Sequence, residues 1–272
     1  MTRIAFIGGG NMATSIIGGL IKQAVINPQL IHVADTNAEQ RLHLEKTFAV
    51  NVHADGLSAI SNADIVVLAV KPQVMKSVLA PLKNTLNQQH SLLVSIAAGI
   101  STQSLQEWSG CNAIVRCMPN TPALIGLGAT GLFATEAVNT EQRQLTDSLL
   151  RAVGTTVWLN NEADIDAVTA VSGSGPAYFF LLIEAMTAAG QQLGLSAEAA
   201  RLLTLQTAVG ASQLAQQADV DAGELRKRVT SPGGTTEQAI LSLENSGFRA
   251  MVNTALQAAK QRAEELSKDL AD

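Results

Sequence analysis

Aromatic residues are scarce in this chain, 3% of 272 residues with a single tyrosine. That scarcity speaks against a β-sandwich, whose strands favour aromatic and β-branched side chains. Cysteine is nearly absent: Cys111 and Cys117 are the only two, and so few in so long a chain read as reduced thiols of a cytoplasmic protein. Charge is sparse as well, 15% of residues with a net charge of -5 and no basic cluster, so nucleic acid is not an expected partner. The four histidines, His32, His43, His53 and His90, lack metal-ligand spacing; no metal is expected, and each reads as a surface residue. No G-x-x-x-x-G-K-[ST] loop is present, which excludes the common NTPase design. No stretch of about twenty apolar residues offers a membrane span. The apolar start after Arg3 is interrupted by Gly8-Gly9-Gly10-Asn11, so it does not read as a secretory signal.

What is abundant is alanine and leucine within a 47% apolar composition, which suits helix packing around a sizeable core. The first half alternates strand and helix. Ile4-Ala5-Phe6-Ile7 reads as a buried strand, followed by Gly8-Gly9-Gly10-Asn11-Met12-Ala13, a G-x-G-x-x-A dinucleotide fingerprint. The first glycine allows the turn, the second lets a pyrophosphate approach the backbone, and the small last residue lets the helix lie close to the strand. That helix carries Ile16, Ile17 and Leu20. A second strand over 30–34 ends in Asp35, 22 residues after Ala13, where an acidic residue meets a ribose 2′-hydroxyl. Further strands over 63–70, 92–96 and 113–118 end in Lys71-Pro72, Ala97-Ala98-Gly99 and Pro119-Asn120-Thr121-Pro122. Ligands of an open parallel sheet bind at such strand ends. Two more strands are expected near 129–133 and 155–159, with a helix over 140–153 between them.

From Ala163 onward the pattern is helical. Glu162, Asp164 and Asp166 read as a solvated face or as charges at a helix start. Ser172-Gly173-Ser174-Gly175-Pro176 marks a kink with small side chains. The helix that follows, with Phe179, Phe180, Leu182, Ile183 and Met186, is apolar nearly all round, so it is expected to be buried, with a partner subunit as the cover. Near the end, Pro232-Gly233-Gly234 forces a turn and Thr235-x-x-Gln238 has capping-box spacing, so a helix is expected to start there. A glycine turn feeding a helix start suits an anion. The expected architecture is α/β: an N-terminal Rossmann-like, mostly parallel sheet over 1–160 and an all-helical dimerisation and substrate domain over 161–272.

Several motifs in this order resemble those of the pyrroline-5-carboxylate reductase family. They are Gly8 to Ala13, Ala69-Val70-Lys71-Pro72-Gln73, Ser95-Ile96-Ala97-Ala98-Gly99 and Arg116-Cys117-Met118-Pro119-Asn120. Then come Ser172 to Tyr178 and the T-S-P-G-G-T-T run from Thr230 to Thr236. The resemblance implies reduction of 1-pyrroline-5-carboxylate to L-proline, the last step of proline synthesis, by hydride transfer from NADPH or NADH. It implies a homodimer through the helical half, with higher assembly open. It implies cofactor contacts at Ile7, Gly8, Gly9, Gly10, Asn11, Met12, Asp35, Ala69, Val70, Lys71, Pro72, Ala97 and Asn120. It implies substrate contacts at Ser231, Gly233, Gly234, Thr235, Thr236 and Glu162, with Thr236 the catalytic contact to the ring nitrogen. The backbone N–H groups of Gly233, Gly234 and Thr235 suit the substrate carboxylate.

Cofactor preference pulls two ways, and of the two NADPH is the expected one. Asp35 repels a 2′-phosphate and so favours NADH, whereas the family's habit favours NADPH, with Thr36, Asn37 and Arg41 as donors if Asp35 turns away. Two other readings stay open. A β-hydroxyacid-dehydrogenase-like oxidoreductase shares the architecture, but the helix after Gly173-Ser174-Gly175 has no lysine at its start. A non-catalytic dinucleotide sensor would use its helical half only to dimerise or to bind a partner protein.

Overall fold

The computed structural model describes residues 2–270. Eight strands form one sheet: β1 (Ile4–Ile7), β2 (Ile31–Ala34), β3 (Asn51–His53), β4 (Ile65–Leu68), β5 (Leu92–Ser95), β6 (Ile114–Met118), β7 (Gly128–Ala134) and β8 (Gly154–Trp158). Their order is β3-β2-β1-β4-β5-β6-β7-β8, and every pairing is parallel except β6 with β7. β1, β2, β4 and β5 are four-residue runs buried along their whole length, as a sheet covered on both faces requires. Strand alternation feeds two cores. Ile4 and Phe6 pack with Ile16, Ile17 and Leu20 on one face, while Ala5 and Ile7 pack with Leu79, Leu82 and Leu86 on the other.

The covering helices are α1 (Asn11–Lys22), α2 (Ala38–Phe48), α3 (Gly56–Ile60), α4 (Met75–Leu79), α5 (Lys83–Gln89), α6 (Thr102–Ser109) and α7 (Thr140–Arg151). β1 lies between β2 and β4, so the strand order reverses there and opens a crevice at the carboxyl ends of β1 and β4. The antiparallel β6–β7 pair has a local cause. Only the 3₁₀ turn Thr121–Ile125 and a few neighbouring residues join the two strands, too short for a parallel crossover. The edge strand β3, three residues long, has no signal strong enough to anticipate.

Helices continue with α8 (Asp164–Val168), a π-helical turn over Thr169–Gly173, α9 (Gly175–Gln192), α10 (Ala197–Gln217), α11 (Ala222–Arg228), α12 (Thr235–Asn245) and α13 (Phe248–Asp269). The compact units part at Ser174 rather than at 160. One comprises the residues up to Ser174 with those from Ala259 onward, and the other is Gly175–Ala258. The segment after 160 stays with the sheet because Glu162 and Asp166 are ion-paired with Arg116 of β6.

A single chain leaves α9 uncovered, in keeping with the partner subunit expected over it: Phe179, Phe180 and Leu181 are each at least 60% exposed. Two expectations need correction. The helical run Asp164–Gln192 is, by length and composition alone, long and apolar enough to cross a membrane. His32 is also not a surface residue. It is buried, and its ring stacks on His53 with centroids 5.2 Å apart. Cys111 and Cys117 are free and buried.

Candidate functional site

Two glycine turns, one in each compact unit, offer backbone amides to a ligand. The first follows β1. Gly8 has φ of +98°, and a Cβ there would stand 2.7 Å from the Ala69 carbonyl oxygen, so only glycine lets the β1 and β4 ends approach. Gly8 N donates to Ala34 O at 2.8 Å and Ala69 N donates to Ile7 O at 2.8 Å, locking the turn to the neighbouring strand ends. Gly10 is the N-cap of α1 and no side chain caps that start. A Cβ at Gly10 would meet nothing within 4 Å, so the glycine leaves open space beside the first amides of the helix. Ala13, 1% exposed, lets α1 lie on the sheet. Open space, unpartnered helix-start amides and a positive dipole end together fit a dinucleotide pyrophosphate.

Asp35 lies at the carboxyl end of β2 and does not turn away. Its Oδ2 accepts from Gly9 N at 2.8 Å, its Oδ1 accepts from Asn37 N at 2.8 Å, and Arg41 donates to its carbonyl oxygen at 2.7 Å. Of the donors expected to meet a 2′-phosphate, Arg41 is engaged by the Asp35 carbonyl, and the Asn37 side-chain oxygen caps α2 by accepting from Glu39 N at 2.9 Å. Gln40 and Thr14 both donate to Gly9 O, at 2.5 and 3.1 Å, so the glycine loop is held from both sides.

Ala69 and Val70 continue from β4, half-buried, and Lys71 is exposed where a 3₁₀ turn begins at Pro72. Ala97 is buried just past β5. Asn120, just past β6, has its side-chain amide engaged: Nδ2 donates to Ser172 O at 3.0 Å and Oδ1 accepts from Ala129 N at 2.8 Å. Glu162 likewise faces inward. Oε1 accepts from Thr102 N at 2.7 Å and from Arg116 at 2.9 Å, and Oε2 accepts from Thr102 Oγ1 at 2.6 Å. Asp166 stands 3.8 Å from the same guanidinium, and burial raises its carboxyl above the usual carboxylate range against the opposing pull of Arg116. Glu162 and Asp166 thus flank a buried arginine, while Asp164 stays exposed in the first turn of α8, a charge at a helix start.

The second turn lies in Gly175–Ala258. Gly233 has φ of +72°, and Gly234 N donates to Ser231 O at 3.0 Å. The helix starts at Thr235 as expected, but the capping box does not form. Gly234 is the N-cap and no side chain caps the helix. Instead Glu237 reaches back from the third helical position, its Oε2 accepting from Gly233 N at 2.7 Å. The amides of Gly233 and Gly234, expected to serve an anion, are therefore engaged within the chain. The unpaired amides of an α-helix start here fall at Thr235, Thr236 and Glu237.

A pyrroline-5-carboxylate reductase of Pseudomonas aeruginosa is 55% identical over 269 residues, covering 98% of each chain. The chain belongs to the pyrroline-5-carboxylate reductase family. The family described as pyrroline-5-carboxylate reductase dimerisation matches residues 162–266, and one described as NADP oxidoreductase, coenzyme F420-dependent, matches residues 3–99. Among solved structures, a pyrroline-5-carboxylate reductase of Coxiella burnetii superposes with a TM-score of 0.94 at 45% identity, covering 97% of this chain and 98% of that one. A pyrroline carboxylate reductase of Plasmodium falciparum with NADP bound gives 0.85 at 31% identity, covering 98% of each.

Within this family member, sequence reasoning missed Gln40 and Thr14 behind the glycine loop, the Thr102–Glu162–Arg116 cluster, and Glu237. Only Glu237 had a readable signal. With Gly234 rather than Thr235 taken as the N-cap, it falls at the third helical position, where an acid commonly reaches back to the helix start.

Proposed function

We propose that the protein reduces 1-pyrroline-5-carboxylate to L-proline with a reduced nicotinamide dinucleotide, the last step of proline synthesis. The likeness to a reductase of that name over 98% of both chains carries the reading, because it spans both glycine turns. When bound, the dinucleotide supplies the hydride that goes to the C=N carbon.

The residues of this chain bind and orient. Ile7 to Met12 hold the pyrophosphate, Asp35 faces the adenosine ribose, Ala69 to Pro72 and Ala97 line the cofactor, and Asn120 frames it by holding the end of β6. At the second turn, Ser231 and Gly233 to Thr235 shape the helix start that takes the substrate carboxylate. The Thr236 hydroxyl orients the ring nitrogen. Protonation of that nitrogen makes the neighbouring carbon electrophilic, so the task is one of positioning.

Both NADPH and NADH serve in this reading, and the local geometry favours NADH. Asp35 is fixed by Gly9 and Asn37, and a 2′-phosphate would meet its carboxylate. The exposed apolar face of α9 is covered by a second copy of the chain, a homodimer in the cytoplasm, rather than by lipid. The dimerisation family over 162–266 supports that cover. The test is oxidation of NADPH and NADH measured side by side with pyrroline-5-carboxylate. A higher kcat/KM with NADH is expected. No oxidation of either would leave the dinucleotide-sensor reading in place.

A further inference from the structure

Glu162 sits where three hydrogen-bond donors converge. One carboxylate oxygen accepts from the Thr102 amide at 2.7 Å and the Arg116 guanidinium at 2.9 Å, the other from the Thr102 hydroxyl at 2.6 Å. These donors lie 60 and 46 residues away in sequence. Arg116 has a side chain only 5% exposed, and its second acid, Asp166, stands at 3.8 Å. The buried Arg116 Nε has no hydrogen-bond partner among the described residues. Glu162 is therefore the nearer of two acids beside a desolvated arginine, and the one hydrogen-bonded to it, an arrangement that is costly to break from either side.

Thr102 is the first residue of α6, and the loop before it, 96–101, carries Ala97 past the carboxyl end of β5. That loop is held at each end and pressed from outside. Ile96 N donates to Leu68 O at 3.1 Å at its start, and Ser101 caps α6 at its end by accepting from Ser104 N at 3.0 Å. Gly99, in the left-handed region at +75°, packs so closely that a Cβ would lie 3.0 Å from Leu270 Cδ1. Ser101 satisfies the amide of the third helical residue but leaves that of the first. Glu162 takes that amide, and a carboxylate at a helix start is favoured by the dipole.

We propose that Glu162 is a positioning residue: held by Arg116, its carboxylate fixes the 96–101 loop through Thr102 and so sets Ala97 against the bound nicotinamide dinucleotide. This rests on the cofactor reading above. It replaces the direct substrate contact expected from sequence, since both carboxylate oxygens are engaged inside the chain. An amide at this position offers one acceptor where three donors converge, so Glu162→Gln keeps the shape and loses the brace.

The experiment compares wild type, Glu162→Gln, Thr102→Val, Thr102→Ser and the Glu162→Gln/Thr102→Val double variant. It reads kcat and KM with pyrroline-5-carboxylate, dinucleotide affinity by nucleotide fluorescence without substrate, and Tm. Glu162→Gln and Thr102→Val are each expected to weaken dinucleotide affinity about fivefold and to lower kcat about tenfold, with KM for the substrate within about twofold. Thr102→Ser should restore both, and the double variant should lose no more than about twofold beyond either single change, because the two residues act as one unit. Full additivity would overturn the proposal. So would a raised substrate KM with dinucleotide affinity intact, or a lowered Tm with affinity and kcat unchanged. If wild type shows no turnover the reductase reading fails, and the affinity measurements still decide the brace.

Discussion

Gly8 and Gly233 both adopt positive φ, +98° and +72°, and each opens onto a helix, yet they are held in place by different means. Around Gly8 the surroundings dictate the turn. The Ala69 backbone leaves no room for a Cβ, the flanking strand ends donate and accept, and Asp35, Gln40 and Thr14 grip the next residue. Around Gly233 nothing lies within 4 Å of a hypothetical Cβ, and the turn is set by its own neighbours, Ser231 and Glu237. A site made by packing arrives ready for its ligand. A site made by local hydrogen bonds presents amides that the chain itself can use, so the ligand has to compete for them.

The sharpest way to break this comparison is at the first turn. Gly8→Ala combines a left-handed backbone with a 2.7 Å clash against backbone, and should destabilise the fold by about 3 kcal/mol or more. Gly10→Ala, where a Cβ meets nothing, should leave Tm nearly unchanged and still weaken dinucleotide affinity by about tenfold or more, by filling the space a pyrophosphate needs. Thermal melts with nucleotide titrations check both. Equal Tm losses would mean that the turn is not set by packing.

At the second turn the matching change touches chemistry and leaves the first turn alone. Thr236→Ala should lower kcat/KM by roughly 10- to 100-fold, the effect of one hydrogen bond of about 1–3 kcal/mol, with dinucleotide affinity intact. Steady-state kinetics beside nucleotide titration measure the split. Wild-type kcat/KM in this variant would remove Thr236 from its role.

Acid should loosen the first turn and spare the second. His32 and His53 meet at 2.9 Å beside Arg3, and Asp35 N donates to His53 O at 3.2 Å, so this pair underlies the strand end that holds Asp35. Burial first, then the Arg3 charge and His53, lowers His32 from 6.5 to about 4. His53 is lowered by burial and Arg3, with Asp55 opposing. Both are neutral in the fold and take up protons more readily in the unfolded chain. Their contribution is present above about pH 6.5 and is lost as pH falls from there towards 4, on the order of 1–2 kcal/mol. The urea midpoint should therefore fall between pH 7 and pH 5 in wild type and fall less in His32→Gln.

The same contrast explains what could be read from sequence. Strand, glycines, helix, strand and terminal acid stand in fixed order around Gly8, because packing demands each of them locally. The sheet, α1 and the helical second half were legible for that reason. The partners of Glu162 were not, since a contact across 60 residues leaves no spacing signature. Nor was the direction of the Asp35 carboxylate, which is set by rotamer and hydrogen bonds rather than by position. The exposure of α9 agrees with its reading, because an all-round apolar helix says that a cover is needed and the same chain does not supply it. His32 did mislead: its burial comes from strand pairing, and a lone polar residue within a short strand does not reveal it.

The smallest expected effect tests the second turn most finely. Glu237 places a carboxylate on Gly233 N at 2.7 Å, beside the helix-start amides assigned to the substrate carboxylate. Two carboxylates at one helix start repel, and at a partly exposed site the penalty is about 0.5–1 kcal/mol. Glu237→Gln keeps an acceptor for Gly233 and removes the charge. KM for pyrroline-5-carboxylate should then fall by about two- to fivefold at low salt, with kcat unchanged, and the advantage should shrink as salt screens the repulsion. Dinucleotide affinity should not move, since Glu237 belongs to the second turn alone. A rise in KM would carry the opposite meaning: the Glu237 contact would be what shapes the turn for its ligand, and the second site would be preformed like the first.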